Sequence, residues 1–400
     1  MRCYLIGNFL RIVLIFLIMV CIFDPADKLL GLKVPLFVLA WILFIFDVLA
    51  NYKKVKVSIS MTTYLLLFML IPLFSITYYT FIGGDFIYYD GFQYFKAYLF
   101  IMLLPILHVS KIDLIKPTVM IISSLSVAAV IILIGSYFDT SLIGMLNEIG
   151  QQYGILSMGV SRLWGTSVFP DLPAVYFHTA ELIILPIGFF TMKVLFSRGA
   201  IRVLYGLLLA INMVAMFFSD TRNNIMACML VPICIAYWYS RRKILILCSS
   251  VILFVVLFIG NLDVIKMGLS AHLTSNFHKI SFLKDYLNLF ADKKVLLFGQ
   301  GLGSYFNTTL RGGVSLTELT YFEFVRSFGL ILSLLLFVLF LYPLSRLRLE
   351  KYRATHYLFI VYLFFLIMSF FNPLLMSSSG MLLLLIVLYK TFSQPSPAEA

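Results

Sequence analysis

The chain returns repeatedly to apolar runs long enough to cross a bilayer, and this decides what it can fold into. A helix needs about 20 apolar residues to span the hydrocarbon core. About twelve runs meet that test, over residues 6–23, 34–50, 61–82, 95–109, 117–135, 172–192, 200–218, 224–240, 244–260, 328–345, 355–371 and 378–393. With 62% hydrophobic and 12% charged residues, the chain carries more apolar surface than a water-soluble fold can hide, since ordinary domains have about 25% charged residues. The sequence therefore predicts an all-α polytopic membrane protein with about 12 transmembrane helices, a single bundle over 1–393. The polar tail 394–400 is expected to be disordered. The first run has some signal-peptide character. No small-residue cleavage site follows it, so it is expected to stay as a span.

The formal net charge of +12 does not point to nucleic acid, because the basic residues are scattered over short links. They alternate from link to link: Lys53, Lys54 and Lys56; Lys111 and Lys116; Lys193, Arg198 and Arg202; Arg241, Arg242 and Lys243; Arg346, Arg348, Lys351 and Arg353. That is the positive-inside pattern, and it predicts both termini in the cytoplasm with membrane lipid as the charge partner. The five cysteines lie in or beside apolar runs with no CxxC pair, so neither a disulfide frame nor a zinc site is indicated. On the non-cytoplasmic side two loops are long, 136–171 and 261–327. Long loops of this kind are usually functional or disordered. The stretch from His272 has apolar residues at helical spacing and predicts an interfacial helix.

Four features on that side could carry chemistry. The link 219–224, SDTRNN, places Arg222 where the topology rule asks for no arginine. With Ser219 or Asp220 capping the next helix, arginine and helix N–H groups would form a seat for phosphate; a plain hairpin with an Arg–Asp pair is the structural alternative. The stretch SRLWGTSVFPDLPA carries Arg162 just before a run, where Arg162 and Trp164 also suit a lipid-headgroup anchor. FGQGLGSYF is a glycine-rich turn without the strand–helix context of a nucleotide loop. SLTELTYFEFVRSFGLI holds Glu318, Tyr321, Glu323 and Arg326 on a predicted helix entering the membrane, with Thr317 as its cap. Glu323 and Arg326 are three apart and suited to pair with each other. Glu318 has no such neighbour in the sequence and is the better free base, with Glu323 as the alternative. His178 and Glu181 fall inside the predicted span 172–192, suited either to function or to an interhelical hydrogen bond.

These features, in this order over 161–380, resemble the O-antigen polymerase and ligase superfamily. The residues that carry the resemblance are Arg162–Gly165 with Pro170, Thr221–Arg222, Gly299–Gly303, Glu318 ahead of Tyr321 and Phe328–Gly329–Leu330, and the late FNPLLMSSSGML. Glu318 stands where the ligases have histidine followed by asparagine, which favours the polymerase branch. The resemblance implies a glycosyltransferase bundle of the GT-C kind in the bacterial inner membrane, its active site facing the periplasm. It implies polymerisation of undecaprenyl-diphosphate-linked repeat units into O-antigen or a related surface polysaccharide, with lipid-linked glycans as donor and acceptor and a chain-length-determining co-polymerase as partner. The expected site is Glu318 as base, Arg222 and Arg162 on the diphosphate, and Arg326, Arg311 and Tyr321 as further substrate contacts, with no cofactor and no metal. The ligase, which would transfer finished polymer to a lipid A core, and a polysaccharide flippase are the alternative functions. A flippase would place polar residues near the midplane of both halves, and here they collect at one face.

Overall fold

The computed structural model describes residues 2–50, 57–82, 88–161, 172–240, 243–244, 248, 273–349 and 356–393. The chain is mostly helical. Helices α1 (Arg2–Phe23), α2 (Lys33–Ala50) and α3 (Ile59–Ile82) come first. Next come α4 (Tyr88–Leu99), a 3-10 turn (Phe100–Leu103) and α5 (Leu104–Ser110), then α6 (Ile115–Phe138) and α7 (Ser141–Tyr153). Strands β1 (Leu156–Val160) and β2 (Pro173–Phe177) pair antiparallel, and a 3-10 turn (Ala180–Ile183) leads into α8 (Ile184–Phe196), α9 (Gly199–Phe217) and α10 (Arg222–Tyr239). The later part holds α11 (Leu273–Leu289), α12 (Lys293–Phe298), the hairpin β3 (Phe306–Thr308) and β4 (Gly312–Val314), and then α13 (Thr320–Leu349), α14 (His356–Met368) and α15 (Ser378–Phe392).

Helix α15 is the core of the bundle. It is buried continuously from Ser379 to Tyr389 and packs against α1, α4, α5, α13 and α14. A helix that is apolar on every side belongs inside. The outward faces are apolar as well: Phe9 and Ile12 on α1, Ile45 and Leu49 on α2, Leu66 and Leu70 on α3, and Leu334 and Val338 on α13 are all exposed. Such a continuous apolar surface needs lipid, not water, as its solvent. Between α6 and α9 lies a small polar clasp. Ser126 Oγ donates to Asn212 Oδ1 at 2.8 Å, and Asn212 Nδ2 donates to Ser123 Oγ at 3.3 Å. Small hydroxyls and an amide are the usual glue between helices in a membrane.

Among the described residues, seven helical segments are long and apolar enough to cross a membrane, and each matches one of the twelve runs. Runs 355–371 and 378–393 form shorter helices, α14 and α15. The run 244–260 lies almost wholly outside the described residues.

The sixth run differs from its expectation. Its first residues are β2, and the helix starts only at Ile184. The reason is local: PAVYF begins with proline, favours extended backbone and finds β1 as a ladder partner. Pro186 then sits in the first turn of α8, where its missing N–H costs nothing. His178 and Glu181 therefore lie on the turn before α8 and not within a spanning helix. The loop 136–171 is also more regular than expected, because α6 continues to Phe138 and α7 and β1 follow.

Candidate functional site

The site is assembled at the end of the bundle that carries the two hairpins. Strand β2 is tied to the α9–α10 link, since Val175 N donates to the Phe218 carbonyl at 3.1 Å. Ser161 Oγ donates to Asp220 Oδ1 at 2.8 Å, so β1 is clamped to the same link. Asp220 adopts a left-handed φ of 57°, which aspartate tolerates better than most side chains. Neither Ser219 nor Asp220 caps α10. The cap position is Thr221, without a side-chain cap hydrogen bond, and the Ser219 hydroxyl accepts instead from Asn224 Nδ2 at 2.9 Å. Arg222 opens α10 and is half-buried. Arg162 and the rest of its motif lie outside the described residues.

From the other direction, α11 brings Lys279. Its ammonium stands 5.0 Å from the centre of the Phe371 ring, next to Asn372. The Lys279 pKa is lowered, chiefly by burial; Glu318 pulls it back up and Arg222 pushes it further down. Glu318 and Arg222 are thus both within electrostatic reach of Lys279. Glu318 itself meets Arg311 of the β3–β4 turn, Nη2 to Oε1 at 3.5 Å, with side chains 50% and 41% exposed. The Arg311 guanidinium lies over the Phe282 ring at 5.3 Å. A reachable carboxylate among three cationic side chains is therefore the chemical content of this end of the molecule.

Beside it sits a second, buried polar group. Tyr176 Oη donates to Glu181 Oε1 at 2.8 Å, and Asn372 Nδ2 donates to the same oxygen at 3.1 Å. Glu181 is fully buried, and its Oε2 has no hydrogen-bond partner among the described residues. Burial raises its pKa to about 7, with the Tyr176 hydrogen bond opposing. Burial also raises the Tyr176 phenol well above its ordinary value, with Glu181 and, more weakly, Glu318 acting in the same direction. The Asn372 carbonyl accepts from Thr320 Oγ1 at 2.7 Å, which joins this group to the start of α13 beside Glu318.

Glu323 and Arg326 form a closed structure of their own. Both side chains are 0% exposed and they pair with each other. Arg326 Nε donates to Glu323 Oε1 at 2.9 Å. Nη1 donates to the Ser304 carbonyl at 2.8 Å and to Ser304 Oγ at 2.7 Å, and Nη2 donates to the Ser315 carbonyl at 2.8 Å and to Glu323. Every guanidinium N–H is then spent on the protein. Glu323 also receives the Tyr286 hydroxyl, which lies 2.5 Å from Thr317 Oγ1. The expected role of Arg326 as a substrate contact is therefore corrected to a structural one, and Glu323 is not open to act as a base. Thr317 serves this knot, and α13 begins only at Thr320.

Tyr321 is corrected in the same way. Its hydroxyl donates to the Leu366 carbonyl at 2.6 Å and its ring packs edge-on against Phe337 and Phe370. Its hydroxyl and its ring are both engaged within the bundle.

The glycine-rich stretch proves architectural. Helix α13 breaks at Gly329, with φ 74° and ψ 166°. The break frees the carbonyls of Arg326 and Ser327. Gln300 N takes the first at 2.6 Å; Gly301 N at 3.2 Å and Ser75 Oγ at 2.7 Å take the second. Backbone groups inside a membrane protein need such partners. Gly299 and Gly329 lie backbone to backbone, and a Cβ on either would strike the other strand of this contact.

Sequence reasoning missed Lys279 and undervalued Glu181 with Asn372. Lys279 had a weak signal, since α11 offers it no acidic residue three or four positions away. The pairing of Glu181 with Asn372 joins residues 191 apart and left no local trace. A scan against protein-family models and a search of curated proteins find no match to this chain.

Proposed function

We propose that the chain is a membrane glycosyltransferase that joins polyprenyl-diphosphate-linked oligosaccharide repeat units into a bacterial surface polysaccharide. In this reading about twelve spans cross the inner membrane, both termini are cytoplasmic, and the two-hairpin end faces the periplasm. The observation that carries it is the exposed ion pair of Glu318 with Arg311, with Glu318 and Arg222 both in electrostatic reach of Lys279. A sugar hydroxyl needs a base in the transition state, and a departing lipid diphosphate needs its developing charge held. A single carboxylate among cations provides both.

The reaction is a direct displacement. The acceptor hydroxyl oxygen forms a bond to the donor anomeric carbon, whose bond to the diphosphate oxygen breaks. The proton passes to Glu318, and the lipid diphosphate leaves as an anion between Arg222, Lys279 and Arg311. A single base with no partner acid gives inversion at carbon. By its motif, Arg162, which lies outside the described residues, is assigned to the same diphosphate.

The test is complementation of a strain lacking this gene, with lipopolysaccharide or capsule resolved on a gel. Wild type restores a ladder, while Glu318→Gln and Arg222→Ala, each expressed and inserted, leave core plus a single repeat. Polymer stranded on the carrier lipid, above a core without any repeat, would make the chain a ligase. A full ladder from both variants would remove the assignment and return the transporter reading.

A further inference from the structure

A polar cavity opens on the loop module 273–320, and none of Glu318, Arg311, Lys279 and Arg222 lines it. It holds about 400 Å³ and is lined by Asp285, Asn288, Gln300, Tyr305, Phe306 and Asn307, together with the aliphatic Leu289. That volume falls within the range of about 300–1,000 Å³ typical of small-molecule sites. The lining mixes a carboxylate, three carboxamides and two aromatic rings. The walls are fixed from behind. Asp285 accepts the backbone N–H and hydroxyl of Thr309 at 3.0 and 2.6 Å, which pins the β3–β4 turn. Gln300 Oε1 accepts from Arg326 Nη1 at 3.4 Å, leaving its amide N–H groups as donors. The Phe306 ring is held between Tyr286, at 5.0 Å, and the Arg326 guanidinium, at 5.2 Å. The Tyr305 ring stays 38% exposed at the rim.

This chemistry selects its ligand class. A diphosphate would meet the Asp285 carboxylate, no cation among the described residues lines the cavity, and Arg326, which bonds Gln300, has its N–H groups spent on the protein. A lipid tail would meet carboxamides. A sugar ring is suited, because each hydroxyl both donates and accepts, as the carboxylate and amides require, and its C–H face stacks on an aromatic ring.

The position is equally specific. Helix α11 carries Lys279 toward the cations and Asp285 and Asn288 toward the cavity, about 9–14 Å further along at 1.5 Å per residue. The β3–β4 hairpin has Asn307 at the cavity and Arg311 on Glu318. Two elements therefore bridge the two places.

We propose that this cavity is a glycan subsite that holds an uncharged sugar residue of the chain, remote from the reacting carbon. It rests on the transferase reading for its biological meaning, while the binding itself is measurable without it. The experiment is saturation-transfer NMR on the full chain in detergent micelles, with free glucose, galactose, rhamnose and N-acetylglucosamine as probes. At least one sugar should receive saturation from wild type and equally from Arg222→Ala. Asn288→Ala with Tyr305→Ala should reduce that signal about 10-fold, the scale of a lost hydrogen bond and ring contact. Tyr305→Phe, which keeps the ring, should retain it. No transfer to any of the four sugars, or a signal that survives the double variant, overturns the subsite. In the complementation assay the double variant should shorten the ladder without abolishing the first addition; an unchanged ladder overturns the hold on the growing chain. Failure of Glu318→Gln to stop polymerisation would sink the transferase reading and leave the NMR result standing.

Discussion

Two Arg–Glu pairs lie close in sequence, one between the β3–β4 turn and the approach to α13, the other within α13, and they differ in access to water. Arg326 and Glu323 are 0% exposed. Arg311 and Glu318 are 50% and 41% exposed. In the dry pair every donor is matched by a carbonyl, a hydroxyl or the carboxylate, and Tyr286 closes the remaining side. In the wet pair a long 3.5 Å contact is shared with a neighbourhood of other cations. The first arrangement has no capacity left for a ligand. The second holds its charges in place and leaves them usable. The same residue types thus build a sealed structural pair in one place and a solvent-accessible pair about five residues away.

The sharpest way to break the comparison is to cut each pair and ask what is lost. Arg326→Leu leaves Glu323 buried without its partner, and breaking such a pair costs roughly 3–5 kcal/mol. It should abolish the folded, monodisperse peak in fluorescence-detected size exclusion. Replacing both, with Glu323→Leu and Arg326→Met, should recover part of the loss. Glu318→Gln should do the opposite. Its melting temperature should stay near wild type, because exposed substitutions usually fall within about 0.5 kcal/mol, while transfer drops by about 10²–10⁴-fold for a lost base. A Glu318→Gln variant that unfolds would erase the distinction between the pairs. A smaller effect is expected at the break that positions both. Gly329→Ala places a side chain in a backbone region open almost only to glycine, a strain of about 1–3 kcal/mol before the clash with Leu297 is counted. Its melting temperature should fall, and Gly206→Ala, half-buried inside α9 with open space at its Cβ, should not lower it and should raise it slightly, by the equivalent of about 0.5–1 kcal/mol of helix propensity.

The membrane class was legible because it needs only composition and run length, and seven of the runs form helices long and apolar enough to span among the described residues. The Glu323–Arg326 pair was legible because i,i+3 spacing on a helix is local. Glu318–Arg311 was not, since it depends on a hairpin turn that returns the chain across seven residues. The choice between strand and helix over 173–177 was also hidden. PAVYF is apolar enough for a span, and only the distant β1 ladder decides it. Glu181 was placed inside a spanning helix for the same reason, while its burial and its hydrogen bond to another element follow one of the two expectations. Tertiary partners overrode a local pattern in each case.

Glu181 extends the comparison to a third environment, a carboxyl as buried as Glu323 but held by a phenol and an amide in place of a guanidinium. It lies on the turn before α8, outside the membrane-length segments. Burial raises its pKa from 4.5 to about 7. The folded state therefore keeps a proton that the unfolded chain has released in that window. The stabilisation is fully present below about pH 4.5 and is lost as pH rises through about 7. Each unit of displacement corresponds to about 1.4 kcal/mol at most. The melting temperature of the full chain in micelles should accordingly decline between pH 5 and 8. Glu181→Gln keeps the shape and both hydrogen-bond partners but cannot ionise, so its melting temperature should be flatter across the same window. Equal slopes for the two proteins would show that Glu181 is charged throughout. It would then need a cation that its described surroundings do not supply, and the contrast with the Arg326-bound Glu323 would disappear.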